Sequence, residues 1–300
     1  VKIDEIEISA ERQEMKTDVK AASIKISNED LKLVPTIGGE ADLAQYMQII
    51  PGVIFTGDQG GQLYIRGGSP VQNKVLMDGM TIYSPFHSIG LFSVFDADII
   101  KNTDVYTGGF SAEYGGRISS IMDIKIKEGN KKKLKGKISS NTFGSKLLME
   151  GPLNNKGNTT FLFSGKTSYL DKTSKMIYNF PMPYSYTDLY GKMTFHAENG
   201  SKTNIFGFNF GDHVNYQGIS DLQWKSDGFG SEFILIPGNS PVLIEGNIAY
   251  SKYYISLQES SSPIRESSIA GASMGFDFTN FYPSGEIKYG FDVLGFGTLF

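Results

Sequence analysis

Residues 286–293 read Glu-Ile-Lys-Tyr-Gly-Phe-Asp-Val, so that apolar side chains occupy every second position. Because successive side chains of a strand point to opposite faces, this spacing predicts a β-strand with one apolar and one polar face. Similar runs begin near residues 161, 206, 244 and 274. Counting these runs and their neighbours predicts about eight antiparallel strands of roughly 9–12 residues across residues 131–300.

The connections between these runs differ in length. Short turn signals lie at residues 152–158, 199–201, 237–241 and 283–285, and longer polar connections are predicted at about 170–187, 213–230 and 258–267. Short turns on one side and long loops on the other are typical of strands that cross an outer membrane. A soluble β-sandwich is the alternative. Aromatic-rich faces, such as Phe206, Phe208 and Phe210, favour contact with lipid.

The composition excludes some classes of function. The 300 residues carry a net charge of -4 and contain no cysteine. A slightly acidic chain gives no electrostatic support for a nucleic-acid partner, and the lack of cysteine fits an oxidising compartment. The chain begins without an initiator Met or an apolar leader and ends inside an alternating run, so we expect it to be incomplete at the C-terminus.

The first 130 residues follow a different pattern. Leu43, Tyr46, Met47 and Ile50 are spaced as on one face of a helix over residues 42–50, and Pro51-Gly52 should end it. Residues 62–66, 74–77 and 121–126 are predicted strands. We therefore expect a small α+β domain, with divisions at 1–34 (N-terminal segment), 35–130 (α+β domain) and 131–300 (barrel strands).

Read in order, residues 35–130 resemble the plug domain of TonB-dependent outer-membrane transporters. The matching pieces are the helix followed by Pro-Gly-Val at 51–53, Ile-Arg-Gly-Gly at 65–68, Val-Leu-Met-Asp-Gly-Met at 75–80 and Ala-Glu-Tyr-Gly-Gly-Arg at 112–117. Residues 78–87 resemble a branch common in Bacteroidota. The resemblance implies that the plug fills a barrel of about 22 strands, of which this chain holds the first part.

The plug motifs supply one set of candidate residues. We expect Arg66 to be buried against plug or wall carboxylates, and Asp78 to organise the turn at Gly79. Both are interpreted mainly as scaffold residues, with a direct role in substrate contact or gating as the alternative. The complete set is Arg66, Gly67, Asp78, Gly79, Tyr114 and Gly115.

The N-terminal segment supplies a second set. The resemblance implies a TonB box, a short extended segment that pairs as a strand with the periplasmic energy-coupling protein TonB. An ordinary first strand is the alternative. The candidate residues are Ile3, Asp4, Glu5, Ile6, Glu7, Ile8, Ser9 and Ala10.

An aromatic loop supplies the third set. In the family that the plug resembles, plug loops face the outside and touch the ligand, and loops are where function tends to concentrate. The alternative is that these aromatic side chains pack the plug against the wall. The ligand-facing candidates are Tyr83, Phe86, His87, Phe92 and Phe95.

No motif indicates an enzyme. Residues 271–275 match G-x-S-x-G only by chance, because they lie within an alternating strand. The three histidines lack metal-site spacing, so we predict no catalytic residue, metal or cofactor. The resemblance implies active transport across an outer membrane, with TonB, lipid and a small-molecule, glycan or peptide ligand as partners. A surface lipoprotein or other outer-membrane subunits are further candidate partners. A structural subunit of an outer-membrane complex is the alternative function.

Overall fold

The computed structural model describes residues 23–35, 40–56, 61–87, 90, 92–179, 182, 184–216, 219–238, 240–260, 262–282 and 284–300. The candidate coupling segment, residues 3–10, lies outside this part of the chain. Within the described ranges, no helix is both long enough and apolar enough to cross a membrane.

The first unit is built on a mixed five-stranded sheet. Its strands are β1 (Ser23–Ser27), β4 (Asn73–Met77), β5 (Met80–Thr81), β6 (Ile100–Tyr106) and β7 (Ser120–Ile126). They lie in the order β1-β6-β7-β4-β5, and only β4 and β7 pair in parallel. A separate hairpin joins β2 (Val53–Thr56) to β3 (Gln62–Ile65). We call this unit the plug.

Two short helices belong to the plug, α1 (Asn28–Leu33) and α2 (Leu43–Met47). Asp42 caps α2 by accepting a hydrogen bond from the Ala44 N–H at 2.8 Å. The helix is shorter than the predicted span of 42–50, because the Ile49 and Ile50 N–H groups donate to carbonyls three residues back, so the chain continues in turns after Met47. Leu43 and Met47 are fully buried in the main core, as the helical spacing indicates.

The second unit is a nine-stranded antiparallel sheet, which we call the wall. Each strand pairs with its neighbours in the chain, from the first strand to the last. The prediction of an α+β domain followed by antiparallel strands is confirmed, with nine strands in place of about eight. The strands are β8 (Lys135–Ser140), β9 (Gly144–Pro152), β10 (Thr159–Ser168), β11 (Tyr184–His196), β12 (Lys202–Tyr216), β13 (Ser220–Leu235), β14 (Val242–Glu259), β15 (Arg265–Tyr282) and β16 (Gly285–Leu299).

One of the predicted long connections is wrong and another is shorter than predicted. β12 continues to Tyr216 and β13 begins at Ser220, so the predicted loop at 213–230 is almost entirely strand. At 258–267 a connection is present but shorter than predicted, because β14 ends at Glu259 and β15 begins at Arg265. Polar side chains do not end a strand whose backbone hydrogen bonds are met by both neighbours. The third connection contains a helix, α3 (Leu170–Tyr178).

The aromatic face of β12 also differs from the prediction. Phe206, Phe208 and Phe210 are buried in the core that the wall shares with the plug, so they do not face lipid. The ring centroid of Phe210 lies 6.5 Å from that of Phe95 in the plug. The strand alternates as expected, but alternation alone does not say which face is inside. On β10 and β14 the predicted outer face is correct, because Phe163 and Tyr250 remain partly exposed.

Candidate functional site at the plug–wall interface

The β4–β5 turn carries a buried carboxylate to the wall. Asp78 and Gly79 have φ of +48° and +78°, the left-handed conformation that a two-residue type I′ hairpin turn requires at both positions. Asp78 is 1% exposed. One of its oxygens accepts the Ile126 N–H at 2.9 Å. The other accepts the Tyr190 hydroxyl at 2.7 Å and the Lys192 ammonium at 3.1 Å. Asp78 therefore attaches the plug to β11.

Arg66 does not occupy the buried position that the sequence suggested. Arg66 and Gly67 have φ of +47° and +79°, so the chain reverses at the end of β3. The Arg66 N–H donates to the Gly52 carbonyl at 2.8 Å. The Arg66 side chain is exposed, and its guanidinium lies beside Gly108. The expectation of burial against carboxylates is wrong, because this turn lies at the plug surface.

A second contact between plug and wall is centred on His87. Its Nε2 lies 2.9 Å from the Asp188 carboxylate of β11, and its Nδ1 lies 3.2 Å from the Asp212 carboxylate of β12. The imidazole is fully buried and stacks on Tyr186 with 4.1 Å between ring centroids. Lys166 of β10 lies 3.4 Å from the same Asp188 oxygen. One plug side chain thus joins two wall strands.

The charges around His87 favour its protonated form. Burial alone would lower the pKa of His87, but the negative charge of Asp188 and the hydrogen bonds to Asp188 and Asp212 outweigh burial and raise it. Both ring nitrogens donate hydrogen bonds only in the imidazolium form. Two carboxylate acceptors therefore match a charged His87.

Two further groups of charges connect the units. Lys146 of β9 lies 2.7 Å from Glu40 and 3.1 Å from Asp96 of the plug. Glu128 follows the plug sheet and contacts His196 at 2.8 Å and Lys202 at 3.0 Å. Although burial disfavours its charge, these two partners lower the pKa of Glu128 to about 2.

Four of the five ligand-facing candidates are buried, namely Phe86, His87, Phe92 and Phe95. Phe86 packs edge-on against Phe55 with 5.0 Å between ring centroids. Tyr83 is half-buried, and its hydroxyl lies over Gly271 of β15. These contacts match the packing alternative for the loop. Direct contact with a ligand stays a prediction.

The last plug motif lies beside β7. The Tyr114 hydroxyl donates to the Asp123 carboxylate at 3.0 Å. Burial and the charge of Asp123 raise the pKa of Tyr114, so the hydroxyl keeps its proton as a donor. The Lys74 ammonium donates to the Gly115 carbonyl at 3.4 Å. The motif thus orders the chain that leads into β7.

Sequence reasoning missed the wall partners of the plug. Asp188, Lys192 and Asp212 are each at most 5% exposed, and none of them was among the candidate residues from the sequence. A charged side chain at mid-strand in a chain expected to cross a membrane indicates a function or a paired partner. That signal could have marked the positions, although it could not have named their partners in the plug.

Comparison with known proteins agrees with this architecture. The family model "TonB-dependent Receptor Plug Domain" matches residues 16–120. Comparison with curated protein sequences gives no match.

Solved structures resemble nearly the whole chain. The siderophore receptor PirA from Acinetobacter baumannii aligns with a TM-score of 0.70 and 16% identity, over 96% of this chain and 49% of that one. The ferric enterobactin receptor PfeA of Pseudomonas aeruginosa gives 0.70 and 14%, over 94% and 49%. The hemophore receptor HasR of Serratia marcescens gives 0.71 and 13%, over 94% and 45%.

The chain spans about half the length of these receptors, and identities this low establish the fold alone. The wall corresponds to part of a receptor barrel. The chain therefore has the fold of a TonB-dependent receptor, with that family's plug domain followed by antiparallel strands of its barrel.

Proposed function

We propose that the protein is a TonB-dependent transporter of a bacterial outer membrane, which imports a nutrient ligand past its plug. The observation that carries the proposal is the plug docked on the wall through buried charged side chains. Asp78 and Lys192 form one such pair, and His87 lies between two wall carboxylates in the other.

The polarity of this interface suits a plug that moves. Water can solvate the separated charges when the plug leaves the wall, whereas a wholly apolar interface would expose hydrophobic surface on both sides. Buried ion pairs also contribute less net stability than apolar packing of the same volume. The charged contacts therefore order the interface and can separate at moderate cost, although they lie beside the apolar core that the plug shares with Phe206, Phe208 and Phe210.

The topology of the plug supports coupling through the N-terminal segment. Within the described part of the chain, β1 is the edge strand of the plug sheet and pairs only with β6. It follows directly on residues 1–22, which include the candidate TonB box at 3–10. A pulling force on that segment would reach β1 first. We therefore propose that TonB binds residues 3–10 and detaches the plug sheet from this edge.

The outer face of the wall supports the membrane assignment. Ile248, Tyr250 and Phe291 are each about half exposed on alternating positions of β14 and β16. Apolar and aromatic side chains on the outward face of a closed barrel contact lipid. The proposed location is the outer membrane, with the segment before the plug in the periplasm.

The test uses the full-length protein and the purified periplasmic domain of TonB from the same bacterium. Proline at position 6 removes a main-chain donor from the candidate box, whereas Ile6→Ala keeps it. We expect Ile6→Pro to weaken binding of the TonB domain by more than about tenfold and Ile6→Ala to change it little, because strand addition depends on main-chain hydrogen bonds.

Isothermal titration calorimetry measures both variants, with deletion of residues 3–10 as the reference for complete loss. Equal binding by all three variants would contradict the coupling assignment. It would favour the alternative of a structural subunit in an outer-membrane complex.

A further inference from the structure

A polar cavity of about 580 Å³ lies between part of the plug and the inner face of strands β13–β16. Its plug side is formed by β4–β7 and the segment that joins β6 to β7. None of the buried contacts made by Asp78 or His87 belongs to it. The cavity lies where a ligand that passes between plug and wall would find open space without displacement of the plug.

Four carboxylates line the wall side of the cavity: Glu232, Glu245, Asp277 and Asp292. They lie on four consecutive strands, and Glu245 is paired directly with Asp277 across β14 and β15. Like charges at directly opposite positions destabilise a sheet. The pairing of Glu245 with Asp277 therefore does not stabilise the wall.

Gly275 makes room for two of the oxygen atoms on this surface. Gly275 is paired with Asn247 on one side and with Asp292 on the other. A side chain at Gly275 would place its Cβ 2.3 Å from an Asp292 carboxylate oxygen and 2.6 Å from the Asn247 amide oxygen. Such contacts are far inside van der Waals distance. The glycine allows the two oxygens to converge on the inner face.

The plug side of the cavity adds three more carboxylates, Asp104, Glu113 and Asp123. The whole lining contains three lysines, Lys74, Lys125 and Lys288. Lys125 lies 3.5 Å from Glu232, and Lys288 lies 3.3 Å from Glu113. Among the described residues, no salt bridge involves Glu245, Asp277 or Asp292. Among the described residues of the lining, seven carboxylates thus outnumber three lysines, and this part of the lining carries a net negative charge.

Asp123 provides a second observation in the cavity lining, namely a buried carboxylate oxygen without a hydrogen-bond donor. Its side chain is buried, with the residue 6% exposed, and it contributes to the lining. One carboxylate oxygen accepts the Tyr114 hydroxyl and lies 3.7 Å from the Lys125 ammonium, while the other has no hydrogen-bond partner. A buried carboxylate oxygen without a donor is costly, because it has lost its hydration without compensation.

The spacing of the carboxylates argues against a bound metal ion. Within the described residues, no group of three or more His, Asp or Glu side chains is placed to hold one. Carboxylates spread along a cavity with low-dielectric walls instead produce a negative potential over its length. That potential attracts a ligand whose positive groups are also spread out.

We infer that this cavity binds ligands that carry ammonium or guanidinium groups, and that it selects for them as they pass the plug. The inference rests on the proposed transport function for its biological meaning. The binding property itself belongs to the cavity and can be tested without transport.

The test measures the potential with charged thiol reagents. The chain contains no cysteine, so Ser273→Cys places a single thiol in the lining, and any cysteine elsewhere in the full-length protein is replaced by serine. Its reaction rates with cationic trimethylammonioethyl methanethiosulfonate and anionic sulfonatoethyl methanethiosulfonate are compared, each relative to a free thiol in solution. We expect the cationic reagent to be favoured at least about tenfold at low salt.

Two comparisons identify the cause. Ser262→Cys, in the exposed turn between β14 and β15, is the matched control and should show little preference. Adding E245Q, D277N and D292N to the Ser273→Cys protein should lower the preference several-fold, as should raising the salt concentration.

A preference near one, a preference for the anionic reagent, or no reaction with either reagent at position 273 would each overturn the inference. The salt series needs no carboxylate substitution, so poor folding of the triple variant would not obscure the result. Loss of TonB binding by Ile6→Pro tests the transport proposal separately, and either result can fail while the other holds.

Discussion

The two halves of the plug–wall interface are built differently. Against β9–β12, the plug places Asp78 and His87 within hydrogen-bond distance of buried wall partners. Against β13–β16, it faces a cavity of about 580 Å³ lined by unevenly balanced charges. The plug thus makes buried charged contacts on one side. On the other side its charged contacts with the wall, Lys125–Glu232 and Lys288–Glu113, are more exposed and border open space.

Removing Lys192, the partner of Asp78, should have the largest effect on the stability of the plug–wall interface. Lys192→Met leaves the Asp78 carboxylate buried without a countercharge, which we expect to cost about 3–5 kcal/mol in the opening of the β4–β5 hairpin. Hydrogen exchange of the amides at residues 73–81 measures that free energy.

Lys288→Met on the cavity side is the matched control for this variant. Its partner Glu113 is 43% exposed at the side chain, so the loss should stay below about 1 kcal/mol. Similar costs for the two variants would remove the contrast between the halves. The double variant Asp78→Asn, Lys192→Met should recover part of the loss, because no charge is then left unpaired.

The His87 contact should depend on pH. The pKa of His87 is raised in the folded protein, so its contribution is complete below the unfolded value of about 6.5. It is lost as the pH rises through the folded pKa. His87→Gln should cost about 2 kcal/mol at pH 6, because hydrogen bonds to charged groups are lost. Hydrogen exchange of the Phe86 and His87 amides between pH 6 and pH 9 measures both effects. Exchange protection that does not change with pH in the wild-type protein would contradict the assignment.

The stabilisation by Glu128 should depend on pH in the opposite direction and should be weaker. Its folded pKa of about 2 lies below the unfolded value of 4.5, so its stabilisation is present above 4.5 and lost as the pH falls toward 2. With its partners partly exposed, we expect Glu128→Gln to cost about 1 kcal/mol at neutral pH. An acid titration of tryptophan fluorescence should show a smaller loss between pH 4.5 and pH 2 in this variant. Identical acid profiles would contradict the prediction.

The Arg66 side chain should contribute least to the stability of the plug. Arg66→Ala should change the stability of the plug by less than about 0.5 kcal/mol, because the side chain is exposed. Gly67→Ala is the variant to compare with it, because Gly67 has a φ of +79°. We expect it to cost about 1 kcal/mol through backbone strain. Thermal unfolding of the two variants compares them directly, and a larger effect for Arg66→Ala would restore the role that the sequence suggested.

The sequence predicted those features that depend on local spacing. Alternation in the second half identified the strands, and Asp78-Gly79 identified a turn whose two residues do have positive φ. The motifs around these residues indicated the plug. Each of these signals is contained in a few adjacent residues, which is why it could be read without a structure.

The parts that could not be predicted depend on contacts between distant residues. Phe206 faces the plug because of where the plug lies, and the alternation of β12 is the same for either orientation. The wall partners of Asp78 and His87 lie more than 100 residues away along the chain. Arg66 was expected to be buried because of its motif, but burial is decided by the position of its turn at the plug surface.

The strictly sequential pairing of the wall has a consequence for biogenesis. Each wall strand needs only its chain neighbours to form its backbone hydrogen bonds, so the sheet can grow one hairpin at a time. The contact of Lys192 with Asp78 instead closes a loop of 114 residues. Because long loops lose more entropy on closure, such contacts form late. We therefore expect nascent chains to build wall hairpins before the plug docks, which leaves the lumen unfilled until assembly is nearly complete.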